Sequence, residues 1–272
     1  MDDHGKAAKF YKKFLENINL DDGKCAIALH NLGSCYSNAR VYTTAIKYYQ
    51  QALKLKQENH RPLEESMCNL GVAYAHLKQY NFAREYLQWA LTSALMSPEK
   101  YELIANLYDN IAVITAIEGN FEEEQKYYEE ALKIRLKNLP PTHSHTGNSY
   151  RNISGVLSRQ QRYEECLQYK QMCLEILLSS LTPNHVDLLA IYNELANLYL
   201  LMGRALDYHR IVIKAIESSV QLLEKSISFL GVDHAISQRD IQALISSVNK
   251  HVPLPLESTA IFRLRHLHDH QI

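Results

Sequence analysis

Residues that break helices are scarce in this sequence. Its 272 residues include 9 Gly and 7 Pro, below the usual shares of about 7% Gly and about 5% Pro. Strand-rich folds need these residues at their many tight turns, so their scarcity argues against a β-sandwich or a barrel. Hydrophobic residues make up 46% of the chain, which is enough for a continuous core. The composition therefore predicts a mainly helical fold.

An excess of charge of either sign is also missing. The chain has 29 basic and 30 acidic residues, giving a net charge of −1. Nucleic-acid binding needs a basic surface that displaces counterions from phosphates, so we expect no nucleic-acid partner. No apolar run approaches the roughly 20 residues that span a bilayer, and the polar start Met1–His4 lacks a signal-peptide core. These absences predict a cytoplasmic protein with no membrane partner.

Cysteine pairs and catalytic motifs are absent as well. The five cysteines include no C-x-x-C pair, and we expect them to be reduced, mostly buried thiols that pack within helices. The sequence contains no G-x-S-x-G, no G-x-x-x-x-G-K-[ST] and no G-x-G-x-x-G. We therefore predict that the chain is not an enzyme and that it binds no cofactor.

A phrase of six residues recurs five times along the chain. It reads N-L-G-S-C-Y from Asn31 and N-L-G-V-A-Y from Asn69, and it returns in altered form from Asn110, Asn152 and Glu194. The third position of each copy is a small residue, and these anchors are Gly33, Gly71, Ala112, Ser154 and Ala196. Their separations of 38, 41, 42 and 42 residues indicate five copies of one structural unit.

A second phrase follows each anchor at a fixed distance. Nine residues after the anchor, four copies have an aromatic residue: Tyr42, Tyr80, Phe121 and Tyr163. Nineteen residues after the anchor, every copy has a small or compact residue: Ala52, Ala90, Ala131, Cys173 and Ala215. Both phrases have apolar residues at i, i+3, i+4 and i+7, the pattern of an amphipathic helix. Each copy is therefore predicted to form a helical hairpin, and the hairpins must stack to bury their apolar faces.

At these residues the chain resembles the tetratricopeptide repeat family. The shared pattern is L-G-x-x-Y in the first helix and A-x-x-x-Y-x-x-A-L in the second, with a usual period of about 34 residues. The longer spacing here is similar to that of the kinesin-light-chain subgroup, as are the linkers Thr142–Tyr150 and Asn184–Tyr192. The resemblance implies an all-α, right-handed superhelical solenoid of antiparallel helix hairpins that binds protein partners in its concave groove.

Some copies depart from the family pattern. Glu124 stands where Ala is usual, and Lys170 stands where an aromatic is usual. The acidic run Glu122–Glu124 opens a helix, where we expect it to favour the helix dipole and to form a solvated face. We expect these copies to pack less regularly.

The phase of the repeats divides the chain into four segments. Residues 1–20 align with the second helix of a hairpin, so they form either a fragment of a preceding repeat or an N-terminal cap. Residues 21–230 hold the five repeats. Residues 231–252 are predicted to form a capping helix that begins near Asp233. Residues 253–272, beyond Pro253 and Pro255, form a tail that is either a short helix or disordered.

Asparagine recurs at one position of the first helix. If the anchor is counted as position eight, position six is Asn31, Asn69, Asn110 and Asn152, and then Glu194. Asn is a poor helix former, but a carboxamide both donates and accepts hydrogen bonds. The resemblance implies that this stripe lines the groove, where the amides would hold the backbone of an extended peptide. The alternative is that they bond neighbouring helices and set the packing of the repeats.

Position five adds further candidate groove residues. It is occupied by His30, Cys68, Asp109, Arg151 and Asn193, and Asn148 and Asn197 flank the last two. Arg151 is predicted either to pair with an acidic residue of a ligand or to form a salt bridge to Asp109 or Glu194. The family's clamp for chaperone C-terminal tails needs Lys and Asn where this chain has His30 and Ser34, so we do not expect such tails to bind.

Histidines near the C-terminus raise the question of a metal. His266 and His270 would share one helix face, as in a two-His site. No further ligand is identifiable, so we expect solvated tail histidines and no metal. The function predicted is a scaffold that binds a peptide segment or protein partner. The alternative is a regulatory or oligomerisation segment of a larger signalling protein or enzyme.

Overall fold

The computed structural model describes residues 3–16, 21–180 and 185–230. These residues form eleven α-helices and one short 3₁₀ turn, with no strand among them. They fall into two compact units that divide between Asn138 and Leu139. This all-α array of hairpins confirms the fold class that the sequence predicts. The predicted capping helix and tail, with His266 and His270, lie outside the described residues.

Unit 1 contains seven helices. Helix α1 packs on α2, and the next six helices form the hairpins α2–α3, α4–α5 and α6–α7. Each second helix also contacts the first helix of the following hairpin within the unit. The bounds are α1 Asp3–Leu15, α2 Asp22–Asn38, α3 Tyr42–Glu58, α4 Glu64–His76, α5 Tyr80–Ala94, a 3₁₀ turn Pro98–Lys100, α6 Tyr101–Ile117 and α7 Phe121–Asn138.

Unit 2 contains the last four described helices. They form the hairpins α8–α9 and α10–α11, and α9 packs on α10. Helix α11 has 26 residues, longer than the other second helices. The bounds are α8 Ser144–Arg159, α9 Tyr163–Ser180, α10 Val186–Leu201 and α11 Ala205–Leu230.

The anchors lie where the paired helices pack closely together. A Cβ atom on Gly33 would lie 2.7 Å from two ring carbons of Tyr49, and a Cβ on Gly71 would lie 2.6 Å from Cγ of Leu87. Ala112 and Ser154 are fully buried. Because these neighbours leave room for no larger side chain, the small anchors permit the close approach of the two helices.

All five hairpin turns share one backbone geometry. The second residue after each first helix has a positive φ, and the N–H of the residue that follows it donates to a carbonyl five residues earlier, as in Val41 to Tyr36 and Asn120 to Thr115. The sequence marks two of these turns with Gly119 and Gly203, the residues that adopt this conformation readily. In the other three hairpins the turn residues are Arg40, Lys78 and Gln161.

The remaining sequence predictions that bear on packing have mixed outcomes. Four of the five cysteines are buried, Cys25 is half-buried, and all are free thiols. Glu124, which we expected on a solvated face, is only 1% exposed, so that expectation is wrong. It occupies the position where an alanine packs in other copies, and this register turns its side chain inward. Among the described residues, no helix has the length and hydropathy needed to cross a bilayer.

Candidate functional site

A polar groove of about 430 Å³ runs across the first helices of unit 1, and we call it the unit 1 groove. It brings together four residues that the sequence predicts for the site, His30, Asn69, Asp109 and Asn110. Asn31 is not among its lining side chains. The full lining is His30, Glu65, Cys68, Asn69, Val72, Leu103, Asn106, Asp109 and Asn110.

Position six of one first helix bonds position five of the preceding first helix. Asn69 Nδ2 lies 3.3 Å from His30 Nε2, and Asn110 Nδ2 donates to Cys68 Sγ at 3.7 Å. Asn31 Nδ2 donates to Tyr11 of α1 at 3.2 Å. These asparagines therefore fasten successive helices to one another, as the packing alternative predicts. Each bond uses one of the several hydrogen-bonding positions of the carboxamide.

His30 is enclosed by hydrogen bonds on both ring nitrogens. Its Nδ1 lies 3.2 Å from the Ser66 hydroxyl, which also accepts a bond from Lys56 Nζ at 3.0 Å. The ring packs on Tyr49 at a centroid distance of 5.5 Å. Burial, and then the nearby Lys56 ammonium, lower the pKa of His30. The imidazole is therefore neutral at pH 7 and is held in a fixed orientation in the groove wall.

Cys68 is a protonated thiol in the same wall. Burial raises its pKa to about 11, although the bond from Asn110 acts in the opposite direction. Since the thiolate is the nucleophile, this side chain is unsuited to covalent chemistry at neutral pH. Its place between His30 and Asn110 is that of a small packing residue.

Asp109 is neutralised by a cation from the paired second helix. Its carboxylate lies 2.5 Å from Arg135 Nη2, and the same guanidinium donates to Asn106 Oδ1 at 2.9 Å. Arg135 is only 5% exposed, so the pair satisfies a buried charge. Arg135 is not among the residues that the sequence predicts for the site. Its distance from the anchor could have indicated it, because Arg135 and Lys56 are both basic and both stand 23 residues after an anchor.

A second cavity of about 580 Å³ shares Glu65 and Leu103 with the unit 1 groove. Buried Glu64 accepts hydrogen bonds there from Lys100 Nζ and Ser93 Oγ, both at 3.0 Å. The lining is Gly23, Ala26, Ile27, Lys56, Arg61, Pro62, Glu64, Glu65, Glu99, Lys100, Tyr101, Glu102 and Leu103. The two cavities together give a polar surface along the first helices of unit 1.

In unit 2, charged side chains occupy the two positions that form neutral hydrogen bonds in unit 1. Arg151 at position five donates through Nε to Glu194 Oε1 at 2.9 Å, and Glu194 stands at position six. Lys170 Nζ reaches the other oxygen, Oε2, at 2.7 Å. Burial would raise the pKa of Glu194, but the bonds from Arg151 and Lys170 outweigh it and lower that pKa. Of the two roles predicted for Arg151, the structure contains the salt bridge.

The other predicted residues of unit 2 have different exposures. Asn148, Asn193 and Asn197 are exposed, and Asn152 is half-buried. Lys170, where the family pattern has an aromatic, is 7% exposed. This departure from the pattern therefore places a buried ammonium where it can bond the carboxylate of Glu194. In the described part of the chain, no cluster of three or more metal-ligating side chains occurs.

Comparison with known families identifies the repeat. The sequence profile described as tetratricopeptide repeat matches residues 24–96, 62–137 and 145–207. These ranges cover more than half of the chain and contain the anchors of the hairpins. No match was found among curated proteins.

Several solved structures share the fold. BtubC (BKLC) from P. vanneervenii is 16% identical, with a TM-score of 0.67 over 94% of this chain and 93% of that one. A putative kinesin light chain with nearly identical TPR-like repeats from Podosopora anserina is 16% identical, with a TM-score of 0.63 over 74% and 97%. The apo form of RapI is 17% identical, with a TM-score of 0.61 over 83% of each chain. The predicted likeness to kinesin-light-chain repeats is thus confirmed at the level of fold.

Proposed function

Because the chain belongs to the tetratricopeptide repeat family, we propose that it is a protein-interaction scaffold that holds an extended peptide in the unit 1 groove. The observation that supports this proposal is the unused hydrogen-bonding capacity of Asn69 and Asn110, which we call the asparagine ladder. Asn69 and Asn110 each use an amide N–H on the preceding helix. Their carbonyl oxygens and second N–H groups are left to bond a peptide backbone.

The charges of the groove support a neutral mode of recognition. Asp109 is paired with Arg135, and in the neighbouring cavity Glu64 is paired with Lys100. His30 is uncharged because burial lowers its pKa. With these groups compensated, backbone hydrogen bonds contribute most of the recognition, and side chains of the ligand add specificity through the remaining exposed Glu65.

The same features support a binding role and not a catalytic one. The groove thiol of Cys68 has a raised pKa of about 11, and the carboxylate of Asp109 is engaged by Arg135. Neither is poised as a nucleophile or a general base near pH 7. We propose a cytoplasmic protein ligand. A regulatory segment of a larger protein stays the alternative.

Selection of peptides from a random linear library displayed on phage tests the proposal. We expect peptides that bind the wild-type chain and lose at least about tenfold in affinity to Val72→Arg. Val72 lines the groove and takes no part in the asparagine hydrogen bonds. The bulky cation therefore blocks the site without breaking the hydrogen bonds between successive helices. Val41→Arg is the control, because Val41 is exposed at a hairpin turn outside the groove.

Two results would contradict the proposal. One is that peptides selected on the wild-type chain bind Val72→Arg as tightly as Val41→Arg. The other is that the library yields no peptide whose binding depends on the groove. Far-UV circular dichroism of both variants verifies that they keep the helical content of the wild-type chain.

A further inference from the structure

The outer face of α5 carries an exposed apolar stripe. It consists of Phe82, half-buried Tyr86 and Trp89, whose spacings of four and three residues place them on one side of the helix, and of Met96, two residues past the helix end. Phe82 is 52% exposed, Trp89 is 49% exposed and Met96, just beyond the helix end, is 84% exposed. We call these four residues the α5 stripe. The adjacent buried face, with Ala83, Leu87, Ala90 and Ala94, packs in the core.

Repeat packing does not require this stripe. The positions equivalent to Phe82 and Trp89 are Thr44 and Gln51 on α3 and Glu123 and Glu130 on α7. Charge is scarce on α5, since Arg84 and Glu85 are its only basic or acidic residues, and Arg84 is paired with Glu118. Aromatic residues and Met in place of charge are the composition of the centre of a protein interface.

The rings of the stripe are held in place before any partner arrives. Tyr86 stacks on Tyr74 of α4 with centroids 5.5 Å apart, and Phe82 lies 5.3 Å from the same ring. Trp89 meets the Tyr86 ring edge-on at 5.5 Å. Because these contacts already restrict the rotamers, association would lose little side-chain entropy.

We propose that the α5 stripe is a self-association surface, at which two copies of this chain pair their α5 helices antiparallel about a two-fold axis near Trp89. A two-fold interface must be complementary to itself. With Trp89 at the centre, Phe82 of one copy lies opposite Met96 of the other, a favourable aromatic–thioether pairing. Glu85 lies opposite Ser93, so no like charges meet.

The exposed area fits a weak dimer. Large aromatic side chains carry about 150–250 Å² each, so the partly exposed stripe offers roughly 400 Å² of apolar surface. With its polar rim, a pair of stripes buries roughly 1,000–1,200 Å² in total, the lower end of specific interfaces. Because buried area does not fix affinity, we take a dissociation constant of the order of 10 μM, typical of a weak association, as the value to test.

The chain itself supplies the optical probe, because Trp89 is its only tryptophan. Sedimentation velocity from about 1 to about 200 μM, a range that brackets the expected constant, should show monomer passing to dimer. Over the same range the emission of Trp89 should shift to shorter wavelength, and its quenching by acrylamide should fall. Both changes follow from removal of the indole from water at the interface.

Variants localise the association to the stripe. Trp89→Glu and Phe82→Glu should each raise the dimer dissociation constant at least about 100-fold, since central aromatic residues dominate interface energies. Phe82→Glu keeps the probe, so its Trp89 emission should not change with concentration. Gln51→Glu introduces the same charge at the equivalent exposed position of α3 and should dimerise as the wild type does.

Several outcomes would overturn the proposal. The wild-type chain could sediment as a monomer at every concentration, with constant Trp89 emission. It could also dimerise equally well with Trp89→Glu in place, or lose association as much through Gln51→Glu as through Phe82→Glu. The groove is a separate surface, and Val72→Arg should dimerise normally. Failure of self-association would therefore leave the peptide-binding proposal standing, and the reverse also holds.

Discussion

The two units make the same contact between repeats with different chemistry. In unit 1, position five meets position six through neutral groups, His30 with Asn69 and Cys68 with Asn110. In unit 2 the same two positions are Arg151 and Glu194, and Lys170 adds a second cation. The geometry of the repeat thus specifies that the two positions touch, and the residues decide how each contact responds to charge, acid and substitution.

Removal of the Glu194 carboxylate should have the largest effect on this comparison. Glu194→Ala leaves Lys170, 9% exposed in its side chain, beside Arg151 with no counter-ion. Breaking a buried pair costs about 3–5 kcal/mol. Because the side chains of Glu194 and Arg151 are 31% and 40% exposed, we expect about 2–3 kcal/mol, measured by denaturant unfolding followed by far-UV circular dichroism.

The matched variants for this prediction separate charge from packing. Asn69→Ala in unit 1 removes a neutral bond and should cost about 1 kcal/mol. Glu194→Gln combined with Lys170→Met removes both buried charges and should recover most of the loss. If Glu194→Ala costs no more than Asn69→Ala, the distinction drawn between the units is wrong.

Glycine substitutions should act with opposite sign in the two units. Gly71→Ala places a Cβ 2.6 Å from Leu87 Cγ and 3.1 Å from the Ala83 carbonyl oxygen. Overpacking of this kind costs about 1–3 kcal/mol, which exceeds the gain of up to about 1 kcal/mol in helix propensity. Gly155→Ala in α8 meets only Arg159 Nη1 at 3.9 Å and should stabilise the chain by about 0.5–1 kcal/mol.

Thermal unfolding of the two alanine variants tests this pair of expectations. Trp89 fluorescence reports on unit 1, where the only tryptophan lies, so Gly71→Ala should lower the midpoint of that signal. A neutral or stabilising Gly71→Ala would show that α4 and α5 can separate without loss, and that a small anchor is not needed for their packing.

Acidification should weaken the two units in different pH windows, and we expect these effects to be smaller than those of the substitutions above. The pKa of His30 lies below its ordinary value of 6.5, so the unfolded chain binds the proton first. Its contribution to stability is present above pH 6.5 and is lost as pH falls through the folded pKa. The pKa of Glu194 lies below its ordinary value of 4.5, so its contribution is lost only below pH 4.5.

The pH prediction is measured as a difference between variants. Denaturant midpoints from Trp89 fluorescence should fall as pH drops below 6.5 for the wild-type chain and stay flatter for His30→Gln. Glu194→Gln should be less stable than the wild type at neutral pH, and this difference should shrink only below pH 4.5, as followed by circular dichroism. Identical pH profiles for His30→Gln and the wild type would show that His30 titrates alike in the folded and unfolded chains.

The sequence predicts the hairpins well because their cause is local. Small residues at a fixed position of each repeat, such as Gly33 and Gly71, indicate where the two helices of a hairpin pack together. The aromatic residue nine positions later marks the start of the second helix. The positive φ angles of Arg40, Lys78 and Gln161 in the hairpin turns cannot be predicted from local sequence in the same way. These residues adopt positive φ because the flanking helices impose it, and their own side chains do not signal it.

The candidate site is less predictable because its partners come from other helices. Asn69 and Asn110 are visible as a recurring amide, yet their bonds to His30 and Cys68 depend on the rotation between successive hairpins. Because Arg135 is on α7 and Asp109 is on α6, the local sequence around either residue does not predict their ion pair. Lys170 is recognisable as a departure from the family pattern, but its bond to Glu194 becomes visible only when α9 and α10 are placed together.

The hairpin turns have a practical consequence for engineering. Arg40, Lys78 and Gln161 hold a conformation that a residue with a Cβ adopts at a cost, and they lie outside the unit 1 groove. Glycine at these three sites would relieve that conformational cost. A more heat-resistant version of this scaffold could therefore be made without altering the surfaces proposed for recognition. Such a version would tolerate more destabilising substitutions in the groove before the repeats unfold.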